Sequence, residues 1–263
     1  MKNEYIPFLS EILRVVKHTD LEYTFTMTYE GAVKPGQFFE VSLPKYGEAP
    51  ISVSGIRPGE IDFTIRRVGK VTNEIFSTYV GDKLFLRGPY GNGFDLENYK
   101  GKEVLIVAGG TGLSPVRGVV EHFSEHPQDC VSATLICGFK SPADVLFKED
   151  IRRWSTRMKV IQSVDRAYEG YEGPTGMVTK FIPDVKFQDV DNAVCIVVGP
   201  PIMMKFVVQE FKKLGVKDEQ IWISQERKMC CGIGKCGHCR MNDTYICLEG
   251  PVFNYARGKD LMD

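Results

Sequence analysis

The stretch EVLIVAGGTGLSPVRGVV, Glu103 to Val120, decides the fold. It opens with a continuous apolar run, the pattern of a strand buried on both faces. The run breaks at Gly109-Gly110-Thr111-Gly112. After the break, Val116, Val119, Val120 and Phe123 recur at i, i+3, i+4 and i+7, the stripe of a helix packed along one side. Buried strand, glycine turn and amphipathic helix in that order are one half of a βαβ unit.

Downstream the pattern repeats. SATLICGF (132–139) and NAVCIVVGP (192–200) are further buried-strand runs, MMKFVVQEFKKLG (203–215) is a helix closed by Gly215, and QIWIS (220–224) is a last short strand. Residues 99–224 therefore form a doubly wound parallel sheet. Upstream, residues 1–98 carry short alternating runs such as YTFTMTY (23–29) and GEIDFTIRRVG (59–69). Turns at Lys34-Pro35-Gly36, Arg57-Pro58-Gly59 and Gly88-Pro89-Tyr90-Gly91 separate them. That spacing predicts a small antiparallel barrel or sandwich. Residues 225–263 are rich in Gly and Cys and form a third, metal-shaped lobe.

Composition limits the function. The 263 residues are 43% hydrophobic and 25% charged, with 33 Lys and Arg against 34 Asp and Glu. Such a balance gives no global field for nucleic acid or an anionic membrane. The first twenty residues lack the apolar core of a secretory signal, and no apolar run approaches the roughly 20 residues of a membrane span. The expectation is a cytoplasmic protein whose eight cysteines are thiols or metal ligands rather than disulfides.

KMCCGIGKCGHC (228–239) is the densest local signal. With Cys231 as first ligand the spacing is Cys231-x4-Cys236-x2-Cys239-x7-Cys247, the ligand pattern of a plant-type [2Fe–2S] cluster. Gly232, Gly234 and Gly237 suit a loop that aims N–H groups at sulfur. Zinc would call for two close Cys or His pairs, and a Rieske centre for a second histidine beside His238. Cys230 would stretch the first interval and is the poorer ligand, while Cys137 and Cys195 read as small core residues.

Gly109, Gly110 and Gly112 allow backbone N–H groups to approach a phosphate, and Pro115 suits the first helical turn. A second Gly-Pro turn, Gly199-Pro200, ends a later buried strand. Two such turns at the carboxyl ends of parallel strands mark where a dinucleotide lies. In the first region Arg66, Arg67 and Lys70 are placed to neutralise a pyrophosphate, with Gly69 and Thr72 as donors. A solvated strand face is the competing reading.

The order GEAPISVS, RRVGKVT, GPYGNGF, IVAGGTG, VVGPPIM, KCGHCRM, GPVFNYA resembles the iron–sulfur branch of the ferredoxin–NADP reductase superfamily. That branch includes the electron-transfer subunits of dihydroorotate dehydrogenases and hydrogenases. Within it the chain is similar over almost its whole length to the electron-transfer subunits of anaerobic sulfite reductases. The resemblance implies FAD on the barrel, NADH in the nucleotide domain and electron exit through the cluster. Partner subunits carrying iron–sulfur and sirohaem groups would then reduce sulfite to sulfide. A dihydroorotate dehydrogenase or hydrogenase partner is the alternative, and a zinc-stabilised nucleotide-binding regulator is one of another class.

By that resemblance Ala49-Pro50-Ile51-Ser52 occupies the flavin motif, with Ser52 near flavin N5. Ala49 and Ile51 stand where the superfamily has Arg and Tyr, so Arg66, Arg67 and Lys70 substitute for the missing charge. Ile65, Gly69, Val71 and Thr72 complete the diphosphate strand and loop. Gly109, Gly110, Thr111, Gly112, Pro115, Gly199, Pro200 and Met203 would hold the nicotinamide nucleotide. Val198 replaces the superfamily's cysteine, and Lys140 leaves NADPH open beside NADH.

Overall fold

The computed structural model describes residues 5–261. They form two compact units, one made of the chain through Phe94 together with Gln225–Val252, the other of Asp95–Ser224 with the chain from Phe253 onward. Among the described residues no helix is long and apolar enough to cross a membrane.

In the first unit six strands close an antiparallel barrel. They are β1 (Phe8–Lys17), β2 (Glu22–Thr28), β3 (Phe38–Leu43), β4 (Gly47–Arg57), β5 (Glu60–Arg66) and β6 (Lys83–Tyr90), in the order β1-β2-β5-β4-β3-β6. Arg57 pairs with Glu60, so Pro58 and Gly59 alone turn the β4–β5 hairpin. Gly59 sits at φ +75, a conformation that suits the glycine of this Pro-Gly turn. Ile12, Phe25, Phe39, Val41, Phe63 and Leu86 fill the barrel, each buried. A short helix, α1 (Lys70–Ile75), follows β5.

Strand alternation sends Phe39 and Val41 inward, so Phe38 and Glu40 point out. Both are nonetheless buried, as are Arg87 and Tyr90 on β6. The cause is the tail, whose residues cover this side of the barrel. A Cβ on Gly232 would lie 2.5 Å from the Tyr90 ring, and one on Gly91 would lie 2.5 Å from Pro251.

The second unit holds the parallel sheet of β7 (Glu103–Gly109), β8 (Ser132–Phe139), β9 (Lys159–Val164), β10 (Ala193–Val198) and β11 (Ile221–Ser224), ordered β11-β10-β7-β8-β9. Every residue of β7 and β10 is buried, as their unbroken apolar runs require. Helices α2 (Leu113–Glu125), α3 (Lys148–Ser155) and α4 (Pro201–Lys213) connect the strands. The stripe Val116, Val119, Val120 and Phe123 lies on the buried side of α2. Burial of each such side chain contributes roughly 1.5–3 kcal/mol relative to exposure.

The tail carries the hairpin β12 (Arg240–Met241) and β13 (Thr244–Tyr245), then the single turn α5 (Ile246–Glu249). Strand β14 (Val252–Asn254) ends the six-stranded sheet beside β11.

Candidate functional site

Three groups of residues foreseen in the sequence take definite positions. The first is the cysteine loop. Gly232, Gly234 and Gly237 adopt φ of +75, +68 and +81, which curls the segment between Cys231 and Cys239 back on itself. The curl aims backbone N–H groups at sulfur. Cys231 Sγ accepts from Lys235 at 3.3 Å and from Cys236 at 3.5 Å, Cys247 Sγ from Gly234 at 3.2 Å, and Cys239 Sγ from Cys247 at 3.4 Å. Cys236 lies beside Cys231, and Cys247 beside Cys239.

Cys231, Cys239 and Cys247 are buried and Cys236 is exposed, with all eight cysteines unpaired. As a free thiol Cys247 is pushed up to about 12, first by burial and then by Cys239. The N–H of His238 bonds the exposed Cys236 and holds its thiol below the ordinary range. Among the described residues no three His, Cys, Asp or Glu converge as a site for a single metal ion. Backbone N–H donors converging on thiolate sulfurs suit a polynuclear iron–sulfur group, whose charge such bonds stabilise. Cys230 is half-buried and lies outside the set of sulfurs that receive these bonds among the described residues.

Two arginine contacts tie this loop to the barrel. Arg87, 6% exposed in its side chain, donates from Nη1 to the carbonyl of Cys231 at 2.6 Å and from Nη2 to that of Cys230 at 2.8 Å. Its Nη2 also meets Glu48 Oε1 at 2.6 Å, and its Nη1 meets the Tyr90 hydroxyl at 3.0 Å.

The second group lies on β4, α1 and the loop before α1. Ala49, Pro50, Ile51 and Ser52 are half-buried on β4 and pair with Val41, Glu40, Phe39 and Phe38 of β3. Pro50 and Ser52 therefore share the outward side of the barrel with Glu40. Ile65 is fully buried in the barrel core, so only its backbone is available to a ligand. Arg66 pairs with Glu22 at 3.2 Å, while Arg67 and Lys70 are exposed. The Thr72 hydroxyl accepts from Val68 N–H at 3.0 Å and Gly69 N–H at 2.9 Å, and donates to Gly69 O at 3.2 Å. Its bonds thus shape the loop from Val68 to Thr72, and Val71 packs against the barrel core.

The third group is in the second unit. Val198 pairs with Ala108, which brings the ends of β7 and β10 side by side. A Cβ on Gly112 would lie 2.5 Å from Val198 O and 2.8 Å from Gly199 Cα. Gly109 is held as tightly, its missing Cβ 2.3 Å from Met203 Sδ, and Met203 also packs against Gly199. Gly110 is different. It sits at φ +55 with open space around its Cβ direction. Thr111 is half-buried, Pro115 is buried in the first turn of α2, Pro200 is exposed before α4, and Lys140 is exposed after β8. Ser114, in that same first turn, is buried and its Oγ has no hydrogen-bond partner among the described residues. A hydroxyl left over beside a glycine turn fits a polar ligand there.

Arg87, Glu40 and Ser114 escaped the sequence reading. Arg87 and Glu40 stand at outward positions of alternating strands, where a polar residue is ordinary, so the local pattern does not mark them.

Residues 106–209 match the family model "Oxidoreductase NAD-binding domain", and residues 226–257 match "Iron-sulfur cluster binding domain of dihydroorotate dehydrogenase B". The chain is 34% identical over 271 residues to sulfhydrogenase 1 subunit gamma of Pyrococcus furiosus, covering 96% of this chain and 92% of that one. It is 30% identical over 237 residues to the dihydroorotate dehydrogenase B (NAD(+)) electron transfer subunit of Clostridium perfringens, covering 88% and 89%. A solved structure of NADH-dependent reduced ferredoxin–NADP oxidoreductase, described for flavin-based electron bifurcation, superposes with TM-score 0.79 at 27% identity. That match covers 95% of this chain and 89% of that one. The chain belongs to the ferredoxin–NADP reductase-like family of NAD-dependent oxidoreductase subunits that carry an iron–sulfur cluster binding domain.

Proposed function

We propose that this chain is the electron-entry subunit of a larger complex, taking a hydride from NADH and passing electrons singly to a partner subunit. The observation that carries the reading is the cysteine loop, where four backbone N–H groups are aimed at the sulfurs of Cys231, Cys239 and Cys247. When bound, FAD supplies two-electron chemistry and a [2Fe–2S] cluster one-electron chemistry.

The residues divide the work. Ala49, Pro50, Ile51 and Ser52 form the flavin strand, with the Ser52 hydroxyl as the donor toward N5, while Arg67, Lys70 and the backbone of Gly69 face the diphosphate. Gly110, Thr111 and Ser114, with Gly199 and Pro200, cradle the nicotinamide nucleotide. Lys140 is available to a 2′-phosphate, so NADPH stays within reach of the same pocket chemistry. Cys231, Cys236, Cys239 and Cys247 hold the cluster, and the exposed Cys236 marks the side from which an electron leaves. No side chain is required to act as an acid or base on the hydride itself.

For the acceptor, the sulfhydrogenase and dihydroorotate dehydrogenase relatives support a hydrogenase or dihydroorotate dehydrogenase partner ahead of a sulfite reductase. The sulfite reading, with iron–sulfur and sirohaem subunits as partners, rests on the ordered motifs that close with GPVFNYA (250–256).

Anaerobic purification with metal and sulfide analysis, and visible and EPR spectra before and after NADH, tests the reading. Flavin bleaching followed by a [2Fe–2S] signal is expected. Zinc without acid-labile sulfide would replace it with a zinc-stabilised regulator. The cofactor content of co-purifying subunits then names the acceptor: nickel, FMN or sirohaem.

A further inference from the structure

We infer that Arg87 is a positioning residue for the cluster: it fixes the Cys230–Cys231 segment on the barrel and, balanced by Glu48, sets how readily the cluster accepts an electron. The inference rests on the cofactor reading above and goes beyond ligand assignment.

The geometry is that of a clamp. Both terminal nitrogens of Arg87 donate to consecutive carbonyls, those of Cys231 and Cys230, and the same guanidinium reaches Glu48 on β4 and Tyr90 on β6. The rings of Tyr90 and Tyr5 lie 5.4 and 5.5 Å from its central carbon. Burial works against the charge, but the Glu48 and Tyr90 contacts outweigh it and the group stays cationic. A loop anchor alone would need only neutral donors. A buried cation beside the backbone of the first ligand does more, because charge in a low-dielectric setting acts strongly on its neighbours.

Reduction adds one electron to the cluster, supplied by reduced flavin, and neither forms nor breaks a bond. It adds one negative charge, which Arg87 stabilises and Glu48 opposes. Glu48 lies on β4 two residues before Pro50, so the strand assigned to the flavin also carries the counter-charge. Net charge and hydrogen bonding near the sulfurs are the protein's means of tuning such a cluster.

Two substitutions in the full-length, cofactor-loaded protein test this. Glu48→Gln removes the opposing charge, and Arg87→Gln removes the cation while keeping an amide donor. EPR-monitored redox titration reads the cluster, and visible spectra read the flavin in the same samples. Expected is a shift of the one-electron equilibrium on the order of tenfold, or ~59 mV, toward the reduced cluster in E48Q and toward the oxidised cluster in R87Q. Loaded clusters with unshifted potentials, or two shifts of the same sign, overturn the inference. If R87Q fails to retain its cluster, E48Q decides alone: a raised potential supports the inference and an unchanged one overturns it. Failure of the unsubstituted protein to show flavin or cluster would instead overturn the cofactor reading, so the two failures are distinguishable.

Discussion

The Cβ that Gly112 lacks would lie 2.5 Å from the carbonyl oxygen of Val198. The glycine turn after β7 is therefore pressed directly against the end of β10, and the two turns assigned to the nucleotide form one packed surface. The contact is with backbone, which cannot move aside as a flexible side chain can. Gly112→Ala should cost about 1–3 kcal/mol through overpacking and weaken NADH binding by separating the turns. Gly110→Ala meets no atom and only bears the strain of φ +55, about 1–2 kcal/mol. Thermal melting and the KM for NADH of the two variants should differ in that order. Equal effects would show that packing on Val198 is not the constraint.

Cys230 and Cys231 are neighbours with different surroundings. Arg87 holds the carbonyls of both, but Cys231 is buried and its Sγ receives two backbone N–H bonds, whereas Cys230 is half-buried. Cys231→Ala should abolish cluster retention, while Cys230→Ala should leave iron and acid-labile sulfide near wild-type content. Iron and sulfide analysis of the anaerobically purified variants, together with EPR of the reduced proteins, checks this. The reverse result would shift the ligand register by one residue.

The sheet domain was legible because its signals are local. Unbroken apolar runs announced β7, β8 and β10, and the helical stripe after Gly112 packs as its spacing predicts. Strands β1 and β9 were not legible. The outer positions of β1 include exposed Leu9 and Leu13, and β9 is a six-residue edge strand with half-buried positions, so neither has a clean period. The cysteine loop was legible by spacing alone. What spacing cannot show is its support, because Arg87 and Cys231 are 144 residues apart and meet only after the tail folds back over the barrel. Thr72 illustrates the same limit. Its hydroxyl bonds the backbone of its own loop, a contact that no spacing announces.

That observation makes Thr72 a test of loop order. Thr72→Val keeps the shape but removes the acceptor for the N–H groups of Val68 and Gly69 and the donor to Gly69 O. Losing these bonds in a loop where only Thr72 is buried costs about 0.5–1.5 kcal/mol. The variant should melt earlier and lose flavin more readily on gel filtration, while the cluster-to-iron ratio stays unchanged. Full flavin retention would show that the loop geometry does not depend on the Thr72 hydroxyl.

Glu40 gives the protein a calculable pH dependence. It is fully buried on β3, and neither carboxylate oxygen has a hydrogen-bond partner among the described residues. Burial first, then the nearby Glu48 charge, raises its pKa to about 8, against a smaller opposing pull from Arg87. An unfolded chain ionises this group near the ordinary Glu value, so between that value and about 8 the folded state holds one more proton than the unfolded state. Stability then falls as pH rises through this window, at about 1.4 kcal/mol per pH unit, and levels off above it. Glu40→Gln removes the ionisation and keeps the volume. The stability of E40Q relative to wild type should therefore grow from pH 5 to pH 7.5 by up to roughly 3 kcal/mol. Paired denaturant titrations of the two proteins across that range measure the difference directly, because all other titrating groups cancel. A difference that stays constant with pH would mean that Glu40 is already ionised in the folded protein, stabilised there by Arg87.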